Sequence, residues 1–178
     1  MIRWVLRLAV VGYAVGWIAD RWLRTQVDDG EVPPIESLVV IDAPIERVWA
    51  VLADIEGQPR WMADMKSVRL LTPPPVGVGT RGESTVRILG MSVTDPVTVT
   101  EFQPPTRFSV EHEGAFTGSG TFELEPGADG TTTVVRWVET LRAPVFPHLG
   151  ARAGFPVLSA VFQADLERLR RLVESDAG

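Results

Sequence analysis

The chain has no cysteine in its 178 residues. That excludes disulfide staples, thiolate nucleophiles, Cys-type zinc sites and CxxC redox chemistry, but it leaves the compartment open, because a cysteine-free chain survives in any redox environment. Histidine is nearly as scarce. With only His112 and His148 present, a His-rich metal site cannot be assembled, and neither a metal nor a cofactor is expected. Basic residues are fewer than acidic ones, 17 against 23, for a net charge of −6 and a pI near 5.0. Phosphate-tracking surfaces need clustered Lys and Arg, so nucleic acid is excluded as a partner. Of the 17 basic residues only Lys66 is not arginine, a bias that points to codon usage rather than to a site. Nucleotide and hydrolase signatures are also missing. Gly77-Val78-Gly79 lacks the GxGxxG spacing and a following helix, and there is no P-loop, GxSxG or HExxH.

A long uninterrupted apolar run is absent too, though one segment approaches it. From Trp4 to Ala19 the sequence WVLRLAVVGYAVGWIA carries the single charge of Arg7, yet a full span needs about 20 apolar residues. Arg3 and Arg7 lie on one flank, Arg21 and Arg24 on the other, with Trp4, Trp17 and Trp22 near the ends. Interfacial tryptophans and snorkelling arginines anchor helices in this way, so residues 1–24 are read as an apolar helix that is a membrane anchor contacting lipid. Two alternatives stay open: a cleaved signal peptide with Ala14-Val15-Gly16 as a poor processing site, and a helix packed on its own domain or on a membrane-protein partner. Equal arginine flanks give no orientation, so the side of the membrane is undetermined, with a cytoplasmic location as the alternative. Residues 25–34, TQVDDGEVPP, read as a polar linker, and 175–178 as a disordered tail.

Between them, residues 35–174 suit one α+β domain. Ser37 to Ile41 reads as a β-branched strand, and Pro44 opens a helix whose apolar face is Ile45, Val48, Trp49 and Leu52, stopping near Gly57 and Pro59. A second short helical turn is expected to hold Trp61, Met62 and Met65. Further strands follow over Val68–Leu71, Gly82–Leu89, Ser92–Phe102, Phe108–Glu113, Phe116–Glu125 and Thr132–Leu141, separated by Gly- and Pro-rich turns. They make an antiparallel sheet of about seven strands, with Pro96 at an edge or bulge and Glu83 with Arg87 as a solvent-side pair. The chain closes with a helix whose apolar face is Leu158, Val161, Phe162, Leu166, Leu169, Leu172 and Val173. Asp165, Glu167, Arg168, Arg170 and Arg171 take its other face, with Glu167 and Arg171 in favourable i,i+4 order. Pro156 marks a kink or a late start, and His148 falls on the preceding loop, where a gate could form.

The segment Val39–Val68, VVIDAPIERVWAVLADIEGQPRWMADMKSV, resembles the opening of the START-like (SRPBCC) superfamily, in its polyketide cyclase/dehydrase and lipid-transport branch. The likeness rests on the Ala43-Pro44 turn, the Val48-Trp49 pair, Asp54 and Trp61. VGVGTR at 76–81, EFQPPTRFSVE at 101–111 and GSGTFELEPGADGTTTV at 118–134 are similar to its later signatures. The resemblance implies a helix-grip fold: a curved sheet wrapped on the C-terminal helix, two short helices after the first strand, and a cavity between sheet and helix. Members bind or transform lipids, polyketides and other apolar molecules. These are scaffold motifs, so they carry over no catalytic set.

Alternation along each strand selects the lumen candidates. In FSVEHE, Phe108 and Val110 are apolar, which puts His112 on the apolar side as the best general acid/base candidate. Phe116, Gly118, Gly120, Phe122 and Leu124 share a face, where the glycines leave room. On the next strand either Thr133, Val135, Trp137, Glu139 and Leu141 face inward or Val134, Arg136 and Val138 do. The first is preferred, because an indole is better buried than a guanidinium. Glu139 is then a second acid/base or ligand-orienting candidate. Trp61 and Met62 are expected near the cavity entrance, with Leu158, Phe162 and Leu166 on the lid helix, and Met65 as core.

Three functions are open. The first is a non-catalytic carrier or sensor of a hydrophobic small molecule near a membrane. The second is a cyclase/dehydratase-type enzyme using His112 or Glu139. The third is a membrane-complex subunit whose N-terminal helix binds a partner. Few polar groups on the inward faces favour the first.

Overall fold

Burial alternates without a break over Ile35–Ile41, Ile35, Ser37, Val39 and Ile41 facing inward, as the two-residue period of a strand requires even though Leu38 and Val40 on the outer face are apolar. This strand, β1, is the edge of a seven-stranded, wholly antiparallel sheet. In the computed structural model, which describes residues 2–27, 31–88 and 91–175, the sheet runs β1-β7-β6-β5-β4-β3-β2. Strands β2 (Met65–Leu70), β3 (Arg81–Ile88), β4 (Met91–Gln103), β5 (Arg107–Glu113), β6 (Thr117–Pro126) and β7 (Thr133–Arg142) follow as a meander, and β7 returns to pair with β1. Helix α1 (Ile2–Arg24) precedes the sheet, α2 (Ile45–Leu52) follows β1, and α3 (Pro147–Ser175) closes the chain across the concave face. This is the helix-grip architecture. Of the linker and tail expected at the ends of the domain, residues 28–30 and 176–178 lie outside the described residues, while Ser175 ends α3.

Sheet and α3 meet in one core containing Ile41, Val48, Leu52, Trp61, Phe108, Phe122, Val135, Leu166, Leu169 and Val173. Burying each large side chain stabilises by about 1.5–3 kcal/mol relative to leaving it exposed. Helix α3 also covers the free edge of the sheet. The Gln163 side chain accepts from the Leu38 N–H (3.3 Å) and donates to the Leu38 carbonyl (3.0 Å), which satisfies backbone groups that an edge strand would otherwise present to other chains.

Several local expectations need correction. Helix α2 stops at Leu52, before Gly57 and Pro59, because Asp54 starts a separate 3-10 helix over Ile55–Arg60 and its carboxylate caps the Gly57 N–H at 3.2 Å. Trp61 and Met62 follow that turn, and Met65 opens β2 rather than sharing it. His148 is not in a loop: α3 starts at Pro147 and runs through Pro156, where Arg152 and Pro156 are exposed and water can replace the missing hydrogen bond. Glu83 pairs with Arg69, its directly opposite neighbour on β2, at 2.6 Å. Residues four apart on one strand, such as Glu83 and Arg87, are about 13 Å apart along it, too far for that contact. Glu167 similarly pairs with Arg170 rather than Arg171, at 2.7 Å.

Asp165 departs furthest from its expected place. It is 2% exposed. Its Oδ1 accepts the Ala63 N–H at 3.1 Å and pairs with Arg168, tying the loop after the 3-10 helix to α3. Burial raises its pKa, against the opposing pull of the Ala63 N–H and Arg168.

Helix α1 docks through a narrow stripe. Tyr13 packs on Phe146 (centroids 5.2 Å apart), Gly16 lies under the Phe146 ring, and Asp20 accepts the Leu149 N–H at 2.9 Å in the first turn of α3. None of the described helices is long and apolar enough to cross a membrane.

Replacing Asp165 with alanine leaves the Ala63 N–H and Arg168 without their partner, and should cost about 1–3 kcal/mol. Thermal unfolding would register this as a lowered Tm; an unchanged Tm would mean that the tie contributes nothing.

Candidate functional site

The concave face is built from three cross-strand rows. Phe108, Phe122 and Trp137 face one another across β5, β6 and β7; Val110, Gly120 and Glu139 form the next row; His112, Gly118 and Leu141 form the third. The glycines in the second and third rows leave open the space that joins His112 to Glu139. A Cβ on Gly120 would come 2.5 Å from Glu139 Oε2. Gly118 adopts φ +140°, where any Cβ would collide with the Thr140 carbonyl, so only glycine fits.

Through that gap His112 Nε2 lies 2.8 Å from Glu139 Oε1. The other carboxylate oxygen accepts the Trp137 indole N–H, also at 2.8 Å. Glu139 is only 4% exposed, so both oxygens are bound in a nearly water-free setting. Burial pulls the His112 pKa down, but the hydrogen bond and charge of Glu139, with a smaller contribution from Asp95, outweigh it and leave the pKa raised. The result is a hydrogen-bonded imidazole–carboxyl pair on an apolar wall. It can donate or accept one proton or orient one polar ligand group.

Asp95 is the member of this cluster that sequence reasoning missed. It lies on β4 two residues before Val97, which faces His112 directly, and it accepts the Ala115 N–H at 2.9 Å. The alternation of Val93, Asp95, Val97 and Val99 was the available signal, obscured by the adjacent Pro96.

The remaining candidates divide into two groups. Trp61, Val135 and Leu166 have no accessible surface and Phe108 only 1%, either to solvent or to an internal void. As the chain stands they are packing residues. Trp61 belongs to the floor of the core, contrary to the expected place at an entrance, because the 3-10 helix lays its indole edge-on to Phe122 and Trp137 at 6.0 and 6.4 Å. Met62 is buried beside it. Val110, His112, Leu158 and Phe162 are only partly buried and make the open half, with Phe162 stacked at a tilt on Trp137 at 4.5 Å. Three buried polar atoms, Ser37 Oγ, Trp61 Nε1 and Arg170 Nε, have no hydrogen-bond partner among the described residues, and Ser37 is directly opposite Trp137 in the sheet. No group of three or more His, Asp or Glu among those residues is placed to hold a metal ion.

Residues 34–174 match the protein family described as polyketide cyclase / dehydrase and lipid transport. The chain belongs to that family. Membership makes a hydrophobic small molecule the class of ligand for this polyketide cyclase/dehydrase relative. Solved structures share its fold at low identity. A Thermus thermophilus protein is 23% identical, with a TM-score of 0.67 over 82% of this chain and 100% of its own. The Zhui aromatase/cyclase of a Streptomyces species is 20% identical, with a TM-score of 0.65 over 79% and 93%. A Deinococcus radiodurans protein is 23% identical, with a TM-score of 0.60 over 78% and 94%. No curated protein matches the chain.

The pair predicts a pH dependence. Because the folded His112 pKa is raised above the ordinary value of about 6.5, its stabilisation is complete below that value and is lost as pH rises through the folded pKa. Urea unfolding across that window should show stability falling with pH in the native chain and a flatter profile in His112→Gln; parallel profiles would mean that the pair contributes no pH-dependent stability. Gly120→Ala should displace the Glu139 carboxylate and lower the His112 pKa, read from its ring resonances by NMR titration. An unmoved titration would show that the glycine is not what admits the pair.

Proposed function

We propose that the protein carries or senses a hydrophobic small molecule, such as a lipid or polyketide, in the open half of its interior, while α1 holds it at a membrane. The division of the interior is the observation that carries this reading. The fully buried core gives way to a partly buried region in which Val110 and Phe162 lie against that core and the His112–Glu139 pair, with Asp95 nearby, supplies the polar groups. Small-molecule sites have that composition: mostly apolar lining with a few polar groups that fix orientation. The ligand would be an apolar body with one hydrogen-bonding group directed at the pair.

Exposure along α1 supports the membrane part. Trp4, Val5, Leu8, Val10, Val11 and Val15 are each at least 60% exposed except Val11 at 58%, with no part of the domain covering them. Trp17 and Trp22 are exposed as well, and Arg7 and Arg21 sit over the Trp4 and Trp17 rings at 6.0 and 5.8 Å. A helix apolar on nearly all sides is stable only when something apolar surrounds it. Since no described helix is both long and apolar enough to cross a membrane, insertion into the interfacial layer fits better than crossing. A partner's apolar surface is the competing occupant.

A second reading rests on the pair itself. A histidine held by a buried carboxylate is a competent general acid/base, so cyclisation or dehydration of a polyketide-like substrate is the enzymatic alternative, and the Zhui neighbour is itself an aromatase/cyclase.

Native mass spectrometry of protein extracted from its own membranes should find a co-purifying lipophile, lost in Leu158→Trp, which fills the open half. Retention of the same mass would move the ligand elsewhere. Turnover of that compound that is abolished in His112→Ala and Glu139→Gln would establish the enzymatic reading instead. In a separate test, Val5→Glu, Leu8→Glu and Val11→Glu together should stop the chain floating with protein-free phospholipid vesicles. A native chain that never floats with them would refute direct lipid attachment.

A further inference from the structure

A second cavity lies outside the sheet interior, where the end of α1 and the start of β1 meet the first half of α3. Its volume is about 700 Å³, within the ~300–1,000 Å³ of small-molecule sites. Leu23, Val27, Pro34, Ile35, Ala151 and Phe155 supply most of its wall. Neither His112, Trp137 nor Glu139 lines it; Ile35, paired with Glu139 in the sheet, stands at the boundary between the two spaces.

The shape follows from helix periodicity. Ala151, Phe155 and Ser159 recur every four residues and form a stripe about 12 Å long on α3, giving an elongated trough. One end of the trough is polar. His148 and Arg152, also four apart, line it at the N-terminal end of α3, the positive end of the helix dipole. His148 is 9% exposed, yet its side chain makes no hydrogen bond with any described residue. His148 lines the trough, and its ring nitrogens are not among the sealed, unpartnered polar atoms, so they are free to bond a ligand group there. Arg152 is exposed and makes no ion pair with a described residue. Among the described residues, the one acidic side chain in the lining, Glu36, is already engaged by Arg136 at 2.9 Å.

We infer that this trough binds a single-chain amphiphile with a carboxylate head, a long-chain fatty acid in its chemistry, with the carboxylate on His148 and Arg152 and the chain along Ala151, Phe155 and Val27. One imidazole and one guanidinium fork match the two oxygens of one carboxylate. The trough binds it whether or not the sheet interior is occupied, so the two sites fail or succeed separately.

The full chain is tested by photolabelling with a palmitic acid analogue bearing a diazirine on its chain, beside the corresponding fatty alcohol. Labels from the acid should map to peptides covering 22–36 and 148–159. The alcohol should label about tenfold less, as should the acid on a His148→Gln, Arg152→Gln double variant. Ala151→Phe should abolish labelling by either probe, with circular dichroism confirming that each variant is folded. Equal labelling by acid and alcohol would overturn the assignment of the head group. Labels confined to Val110 or Phe162 would place the amphiphile in the interior, supporting the carrier reading while overturning the trough.

Discussion

A curled antiparallel sheet can bury its concave face only if something fills it, and here that filler is one amphipathic helix. Leu166, Leu169 and Val173 have no accessible surface, and with Val135, Phe108 and Trp61 they seal one half of the grip. The same helix continues toward its N-terminus with smaller or half-exposed residues, Leu158 and Phe162 facing the sheet, so the seal is not carried to the other end. Where α3 packs tightly there is core; where it does not there is room. The docking of α1 and the trough at Ala151 lie along the N-terminal part of this same helix.

Burying a carboxylate is costly unless every lone pair that loses water finds a donor. Glu139 meets that condition with the Trp137 indole and the His112 imidazole, and Gly120 leaves the space in which both bonds reach normal length. The convex face handles its charge differently. There Glu101, Arg107, Glu123, Arg136 and Glu36 form a chain of ion pairs, and the guanidiniums hold the Glu101 and Glu123 carboxyls below their usual range. Those side chains are about a third to a half exposed, and such pairs contribute little net stability. The inward pair differs in being partly desolvated and free to exchange its hydrogen-bonding partner for a ligand group.

Strand alternation grouped His112 with Phe108 and Val110, and Trp137 with Glu139, but it left two faces open for the last strand, and only the preference for burying an indole over a guanidinium chose between them. The mutual contact of His112, Trp137 and Glu139 was not legible in the sequence. It depends on a register two strands away and on a distorted backbone at Gly118, neither of which has a local pattern. Trp61 shows the complementary limit. Its motif identified the family, but its depth comes from a 3-10 helix that helical periodicity does not describe. Asp165 stands among charged neighbours on α3 and reads as solvent-facing; only the position of the Ala63 N–H across the interface makes its burial intelligible.

The N-terminal helix is where packing and composition pull apart. Its second half is committed to the domain, since Asp20 completes the first turn of α3 and Gly16 admits the Phe146 ring. Its first half carries tryptophan, valine and leucine into open space with no partner on this domain. A helix fixed at one end and uncovered at the other transmits its orientation to what it is fixed to. Whatever covers Trp4 to Val15 therefore also sets the direction in which α3 begins, and with it the mouth of the trough and the open half of the grip. An apolar ligand taken from an apolar phase avoids the unfavourable passage through water, although it also gains no hydrophobic free energy on entering the site. The trough borders the last turn of α1, and the contacts at Asp20 and Phe146 fix that turn against α3, so under the proposed attachment the trough lies on the side of the domain from which α1 projects.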